Sequence, residues 1–196
     1  MSQHVAVLLG GWSSEREVSL VTGQAVCAAL EAVGYRATPI DVGPDVFDIL
    51  TELEPDVAFN ALHGRFGEDG CIQGMLEVLK IPYTHSGVLA SALAMDKPRA
   101  RQMFASVSIP CPEGQVVHRD EVLEGKVFEP PYVLKPTNEG SSVGVRLVFE
   151  GDNMSPLDES NWKYGEYVLM ERYIPGREIQ VAVMDDKALG AIEVRP

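Results

Sequence analysis

The sequence predicts an α/β protein in two parts, an N-terminal doubly wound parallel-sheet domain followed by a strand-rich α+β domain. Three observations lead there. Apolar runs that end in glycine or proline alternate with helical patterns through the first part of the chain. The proline break Ile109-Pro-Cys-Pro112 then interrupts the periodicity, and beyond it β-type runs follow one another with few helices between them. At 196 residues the chain can bury a full core and hold one large domain or two small ones.

The first strand is Val5-Ala-Val-Leu-Leu9, a continuous apolar run ended by Gly10-Gly11, as a central parallel strand covered on both faces requires. Ser14-Glu-Arg-Glu17 fits a capping box that opens a helix. Val18, Val21, Ala25, Ala29, Leu30 and Val33 give that helix one apolar face, and Gly34 is placed to stop it. A strand from Ala37 to Val42, the Gly43-Pro44 punctuation, a short helix from Val46 to Leu53 and Pro55 continue the alternation. The next strand, Asp56 to Leu62, ends in His63-Gly-Arg-Phe-Gly-Glu-Asp-Gly70 and is followed by a helix from about Cys71 to Leu79 and a strand from Ile81 to Thr84. In such a domain the working loops lie at the carboxyl ends of the strands, the positions of Gly10 to Glu15 and His63 to Gly70.

Helical patterns around Val88 to Ala94 and Lys97 to Val107 lead out of the first domain. The boundary falls between residues 95 and 110, giving domains 1–95 and 96–196. The second domain contains a hairpin over residues 132–149 and strands from Tyr167 to Tyr173, Glu178 to Met184 and Ala188 to Val194, the last two joined by a turn at Asp185-Asp-Lys187. Gly151 to Tyr164 is polar and aperiodic and reads as a surface connection.

Composition excludes several classes. With 45% apolar and 23% charged residues the chain is an ordinary globular protein, and it has no apolar run of membrane-spanning length. The Val5 to Leu9 run is too quickly followed by glycines to be a secretory leader. Cys27, Cys71 and Cys111 are odd in number and widely spaced, as free thiols in a reducing cytoplasm would be. Neither they nor His4, His63, His85 and His118 show metal-ligand spacing. A net charge of −13 opposes nucleic-acid or anionic-membrane partners. An anionic nucleotide then needs a local reversal of sign, which a Debye length of roughly 8 Å permits.

The stretch Tyr132 to Val145 is the first candidate for such a reversal. Tyr132, Val133 and Leu134 deliver Lys135 and Pro136, and a polar loop with Gly140 and Gly144 turns the chain back. Backbone N–H groups, the hydroxyls of Ser141 and Ser142 and the Lys135 charge suit an anion. The alternative is an ordinary hairpin with a polar tip. Glu15, in the first turn of the first helix, either holds a ligand ammonium or only complements the helix dipole. His63 opens a loop with glycines at 64, 67 and 70 and is either ligand-facing or structural, and one reading of Glu68-Asp69 is that they only cap the next helix. The turn Glu171-Arg-Tyr-Ile-Pro-Gly-Arg-Glu178 offers backbone amides and carboxylates to a nucleoside, or is a plain hairpin turn. No phosphate-loop lysine motif, dinucleotide fingerprint or nucleophile elbow occurs.

Taken in order, Gly10 to Ser19, Leu62 to Gly74, Tyr83 to Gly87, Ala94 to Lys97, Leu134 to Gly144 and Glu171 to Glu178 resemble the successive motifs of the D-alanine-D-alanine ligase family. The resemblance covers nearly the whole chain and implies that the second part is an ATP-grasp central domain, with the C-terminal domain absent. It implies ATP-dependent ligation of two D-alanine molecules through an acylphosphate, for peptidoglycan synthesis. Glu15 would hold the first D-alanine's ammonium, His63 would sit by its carboxylate, and Ser141 would close over the substrates beside Glu15. Lys97, Lys135, Glu139 and Ser142 would lie on the phosphate side, Glu171 and Ile174 at adenine, and Glu178 at ribose. The implied partners are D-alanine and ATP, with no nucleic acid and no membrane, in a cytoplasmic protein that is a homodimer at full length. Mg2+ or Mn2+ is implied with ligands beyond residue 196, none being expected within this chain. Arg172 stands where many members carry lysine, which keeps the charge but changes donor geometry. The chain reads as truncated and inactive alone. Alternatives are a sister ligase joining D-alanine to another acceptor, or a non-catalytic nucleotide- or amino-acid-binding module.

Overall fold

β1 (His4–Leu9) forms the centre of a three-stranded parallel sheet in the order β2-β1-β3, with β2 (Arg36–Asp41) and β3 (Val57–Asn60) on either side. The computed structural model describes residues 2–125, 128–152 and 162–195. Every residue of β1 is buried, and the period of two sends alternate side chains to opposite faces. Ala6 and Leu8 pack with Val46 and Leu50 of α2 (Val46–Leu53) and with Ile72 and Leu76 of α3 (Cys71–Leu79). Val5 and Val7 pack instead with Val26, Cys27 and Leu30 of α1 (Arg16–Ala32). Helices therefore cover both faces, and the doubly wound arrangement is as expected. The strand expected over Ile81 to Thr84 is reduced to a single parallel bridge between Ala58 and Tyr83, where Pro82 has no N–H to add to a ladder.

Two expectations for α1 are corrected. Ser14 and Glu17 form no capping box: the helix begins at Arg16 with Glu15 at the N-cap and no side-chain cap bond. Ser13 takes that place, its Oγ accepting from the Glu15 N–H at 3.1 Å and its carbonyl from the Arg16 N–H at 3.2 Å. Gly10 and Gly11 both have positive φ, and the turn that follows leaves Ser14 exposed. The apolar face is also rotated, with Val18, Val21, Ala25, Ala29 and Val33 facing solvent. Small residues decide the rotation. A Cβ on Gly23 would lie 2.5 Å from Leu9 Cβ, so only glycine allows this approach to β1. Ser19, fully buried, accepts from the Gly10 N–H at 2.9 Å and donates to the Ala61 carbonyl at 2.7 Å, tying the helix to two strand ends.

α4 (Val88–Met95) and α5 (Lys97–Ser106) meet at Asp96, whose side chain caps α5 by accepting from the Arg99 N–H. An antiparallel sheet follows in the order β4-β7-β5-β6, made of β4 (Gly114–His118), β5 (Tyr132–Pro136), β6 (Arg146–Val148) and β7 (Tyr167–Arg172). β5 and β6 are the expected hairpin, whereas β4 and the short α6 (Arg119–Leu123) were not anticipated. One sheet face carries Val117, Tyr132, Leu134, Val148, Val168 and Met170 into a second core. The expected surface connection at Gly151 to Tyr164 lies outside the described residues over 153–161, but its end is core. Trp162 is buried against Tyr164, ring centroids 5.1 Å apart, and its indole N–H donates to the Gly165 carbonyl.

β8 (Glu178–Met184) and β9 (Lys187–Val194) form a separate two-stranded antiparallel ribbon turning at Asp185-Asp186, as expected. No helix among the described residues is long and apolar enough to cross a membrane.

Candidate functional site

The sheet face opposite the second core gathers charge. Lys135 lies two residues beyond Val133 on β5, and Val133 pairs with Glu171 of β7, so Lys135 and Glu171 are diagonal neighbours on one face. The Lys135 ammonium is 2.6 Å from Glu171 Oε2. Glu171, only 5% exposed, has Arg101 of α5 on its other oxygen, and Arg101 also donates to the Pro112 carbonyl at 2.6 Å. Lys97, one helical turn before Arg101, donates through Nζ to the Glu139 carbonyl, and its backbone N–H donates to the Thr137 carbonyl at 3.0 Å. Burial, and then the neighbouring Lys135 charge, hold the Lys97 ammonium below its ordinary pKa. Arg101 and Lys135 thus pair with one buried carboxylate and Lys97 stands near them, a local excess of positive charge in the −13 chain. Arg101 was missed in the sequence. The i, i+4 spacing from Lys97 was the available signal, but its partner Glu171 lies 70 positions away.

A second centre is acidic. The loop between β5 and β6 brings Gly140 against the start of the loop after β3. A Cβ on Gly140 would lie 3.1 Å from Glu15 Oε2, 3.4 Å from Glu68 Oε2 and 3.7 Å from Gly64 Cα. The Gly64 N–H donates to Glu68 Oε2 at 2.8 Å. His63 has Nδ1 3.8 Å from Glu68 Oε1 and Nε2 3.4 Å from Thr22 Oγ1. Burial first and the Glu68 charge second raise the Glu15 pKa, with Glu139 adding to the rise and His63 opposing it. Such a group gains from a cation that replaces lost water. Glu68 supports the Gly64 backbone, and it is Asp69 that accepts from the Cys71 N–H at the start of α3.

A cavity of about 580 Å3 joins the two centres, with His63, Glu68, Lys97, Glu139, Gly140 and Ser141 in its wall. Ser141 is held at φ 52°, in the left-handed region. Ser142, Ile174 and Glu178 are exposed and stand outside that wall, and the Glu171 carboxylate is turned into its ion pairs. Sequence-predicted Glu15, His63, Glu139 and Ser141 are therefore brought together, as are Lys97, Lys135 and Glu171. The other three are not.

The family profile described as D-ala D-ala ligase N-terminus matches residues 48–86, and the one described as D-ala D-ala ligase C-terminus matches residues 103–196. The D-alanine–D-alanine ligase of Methylorubrum extorquens is 57% identical over 198 residues, covering 100% of this chain and 64% of that protein. The chain belongs to the D-alanine–D-alanine ligase family. D-alanine–D-alanine ligase B of Mesorhizobium japonicum is 58% identical, again over 100% of this chain and 64% of the relative. In structure, the family's Bacillus anthracis member superposes with a TM-score of 0.83 at 35% identity, covering 99% of this chain and 65% of that one. The same protein complexed with ATP gives 0.82 at 33% identity, over 100% of this chain and 67% of that one. The chain thus spans about 64% of the length of the curated relatives it matches.

The donor sets differ in what they fit. The Lys97, Arg101 and Lys135 group fits a polyphosphate, since its three positive charges exceed the two carboxylates, Glu171 and Glu139, that act on them among the described residues. For a divalent ion the described residues offer no group of three or more His, Cys, Asp or Glu side chains, so no step is assigned to one.

Proposed function

We propose that this chain forms the first-substrate and nucleotide-phosphate sites of an ATP-dependent ligase that joins two D-alanine molecules through an acylphosphate. The observation that carries this is a cavity lined by His63 and Glu68 where Gly140 approaches Glu15, and by Lys97, on which the neighbouring Lys135 charge acts. An amino acid and a polyphosphate bound there would present a carboxylate to a phosphoryl group, with the ammonium on the side of Glu15. His63 and Ser141 would flank the substrate carboxylate, and Lys97 and Lys135 would take the phosphates, beside Glu139 and Ser142. ATP, as a substrate, supplies the phosphoryl group that turns a carboxylate oxygen into a leaving group. The chain's own contribution is positioning and charge. The loop through Gly140 and Ser141 would cover the reacting atoms and keep water from an acylphosphate.

Names of relatives support this, together with the ATP complex of the Bacillus anthracis protein. The same reading places adenine near Glu171 and Ile174 and ribose near Glu178. It divides the chain into a substrate domain, 1–95, and an ATP-grasp domain, 96–196, in a cytoplasmic protein that pairs as a homodimer when whole, and it includes Mg2+ or Mn2+ as companion of ATP.

The test is binding of D-alanine to the 196-residue chain, followed through backbone NMR signals. D-alanine should move His63, Gly64 and Gly140, and L-alanine should not. An equal response to both enantiomers, or none to either, would overturn the reading.

A further inference from the structure

Glu171 is buried and bonded on each oxygen to a different cation, and the two cations are unequal in freedom. Arg101 is fixed: its guanidinium bridges Glu171 and the Pro112 carbonyl, and its side chain is 20% exposed. The space it occupies exists because position 114 is glycine, since a Cβ there would lie 2.9 Å from Glu171 Cγ and 3.2 Å from Arg101 Nη2. Lys135 makes one contact to Glu171 from a flexible stem and is 31% exposed. To serve a phosphate, Lys135 must turn away from Glu171. If it were the only partner, that movement would leave a buried carboxylate unpaired, at a cost that cancels the gain from the new contact.

We propose that Arg101 is a positioning residue for polyphosphate binding: it keeps Glu171 paired and so releases the Lys135 ammonium to a nucleotide phosphate. This rests on the phosphate reading of Lys97 and Lys135 and adds to it a residue that itself touches no ligand. Lys97 and Lys135 are the groups that meet the anion. Arg101, on the same face of α5 as Lys97, sets how strongly Glu171 competes for Lys135.

The experiment is calorimetric titration of the chain with ATP and with adenosine, for the unsubstituted protein and for Arg101→Met, Arg101→Lys, Lys135→Met and the Arg101→Met/Lys135→Met double variant. Arg101→Met should weaken ATP about tenfold, the scale of a lost charge-assisted contact, and leave adenosine within about twofold. Arg101→Lys, which keeps a cation on Glu171, should restore most of the ATP affinity. In the Lys135→Met background, Arg101→Met should change ATP affinity by less than about twofold, because the residue acts through Lys135. A purely structural role would lower ATP and adenosine affinity together, and a direct phosphate contact would make the two substitutions multiply. Either result overturns the proposal, as does unchanged ATP affinity in Arg101→Met. Should Arg101→Met fail to fold, Lys in its place must keep ATP affinity near the unsubstituted value, and a tenfold loss there overturns it as well. Absence of ATP binding by the unsubstituted chain would instead remove the phosphate reading itself, and is seen before any variant is compared.

Discussion

Lys135 on β5 and Glu171 on β7 meet at 2.6 Å across neighbouring antiparallel strands, on the sheet face that looks away from the second core. The lysine offered to a phosphate is thus engaged by a carboxylate in this structure. Removing it with Lys135→Met should weaken ATP binding by roughly 1.5–3 kcal/mol if the ammonium makes a charge-assisted phosphate contact. Calorimetric titration decides this, and an unchanged affinity would return the stretch to a plain hairpin.

Glu171 and Glu113 provide a contrast in what an ion pair contributes. Glu171 is buried between two cations, and Glu171→Ala should cost roughly 3–5 kcal/mol, because Arg101 then loses a buried partner. Glu113 meets Arg172 at 3.2 Å with both side chains more than half exposed, and Glu113→Gln should cost less than about 1 kcal/mol. Urea unfolding of the two variants measures both, and similar losses would contradict the assigned burial.

The Glu15 carboxyl, raised above its ordinary pKa by burial and by Glu68, binds its proton more tightly folded than unfolded. Its contribution to stability is therefore present at acid pH and falls as pH rises from the ordinary glutamate value through the raised one. Glu15→Gln should flatten that decline while leaving the acid side unchanged. D-alanine binding should move oppositely, strengthening over the same window as Glu15 ionises. Denaturation and titration at a series of pH values test the two trends.

Gly64 holds φ at +67°, and a Cβ there would lie 3.0 Å from Glu15 Oε2. Gly64→Ala should cost roughly 1–2 kcal/mol from the left-handed backbone alone. It should also displace Glu15, so that D-alanine binding is lost in excess of the stability change. Thermal unfolding alongside the same binding titration separates the two effects.

The layered α/β order was legible because β1 holds a continuous apolar run, ended by two glycines, that has to be covered on both sides. The orientation of α1 was not. Counting apolar residues favours Val18, Val21 and Ala25, whereas close approach favours Gly23 and Ser19, and the helix turned toward the residues that let it nearest. Trp162 sat in a polar surrounding that concealed a core anchor. β4 is short and has a single buried residue, Val117, so its pattern carried little signal. For the site, glycine loops and charged strand ends drew attention to Glu15, His63, Lys97 and Lys135, of which His63 and Lys97 line the cavity while Glu15 and Lys135 stand next to residues that line it. Arg101 was hidden because its role depends on a pairing between α5 and β7, and no local pattern encodes a contact 70 residues away.

Among the described residues the β8–β9 ribbon pairs only its own two strands, which leaves its outer edges open, and Val181, Val183, Leu189 and Ile192 are exposed on it. Its solution behaviour follows from a balance of ranges. The net charge of −13 keeps copies apart over a Debye length of roughly 10 Å at 0.1 M salt, but over only about 3 Å at 1 M. Strand edges add to one another at hydrogen-bond distance. The chain should therefore stay dispersed in dilute buffer and self-associate edge to edge as salt is raised, which makes ionic strength the first variable to fix when handling it.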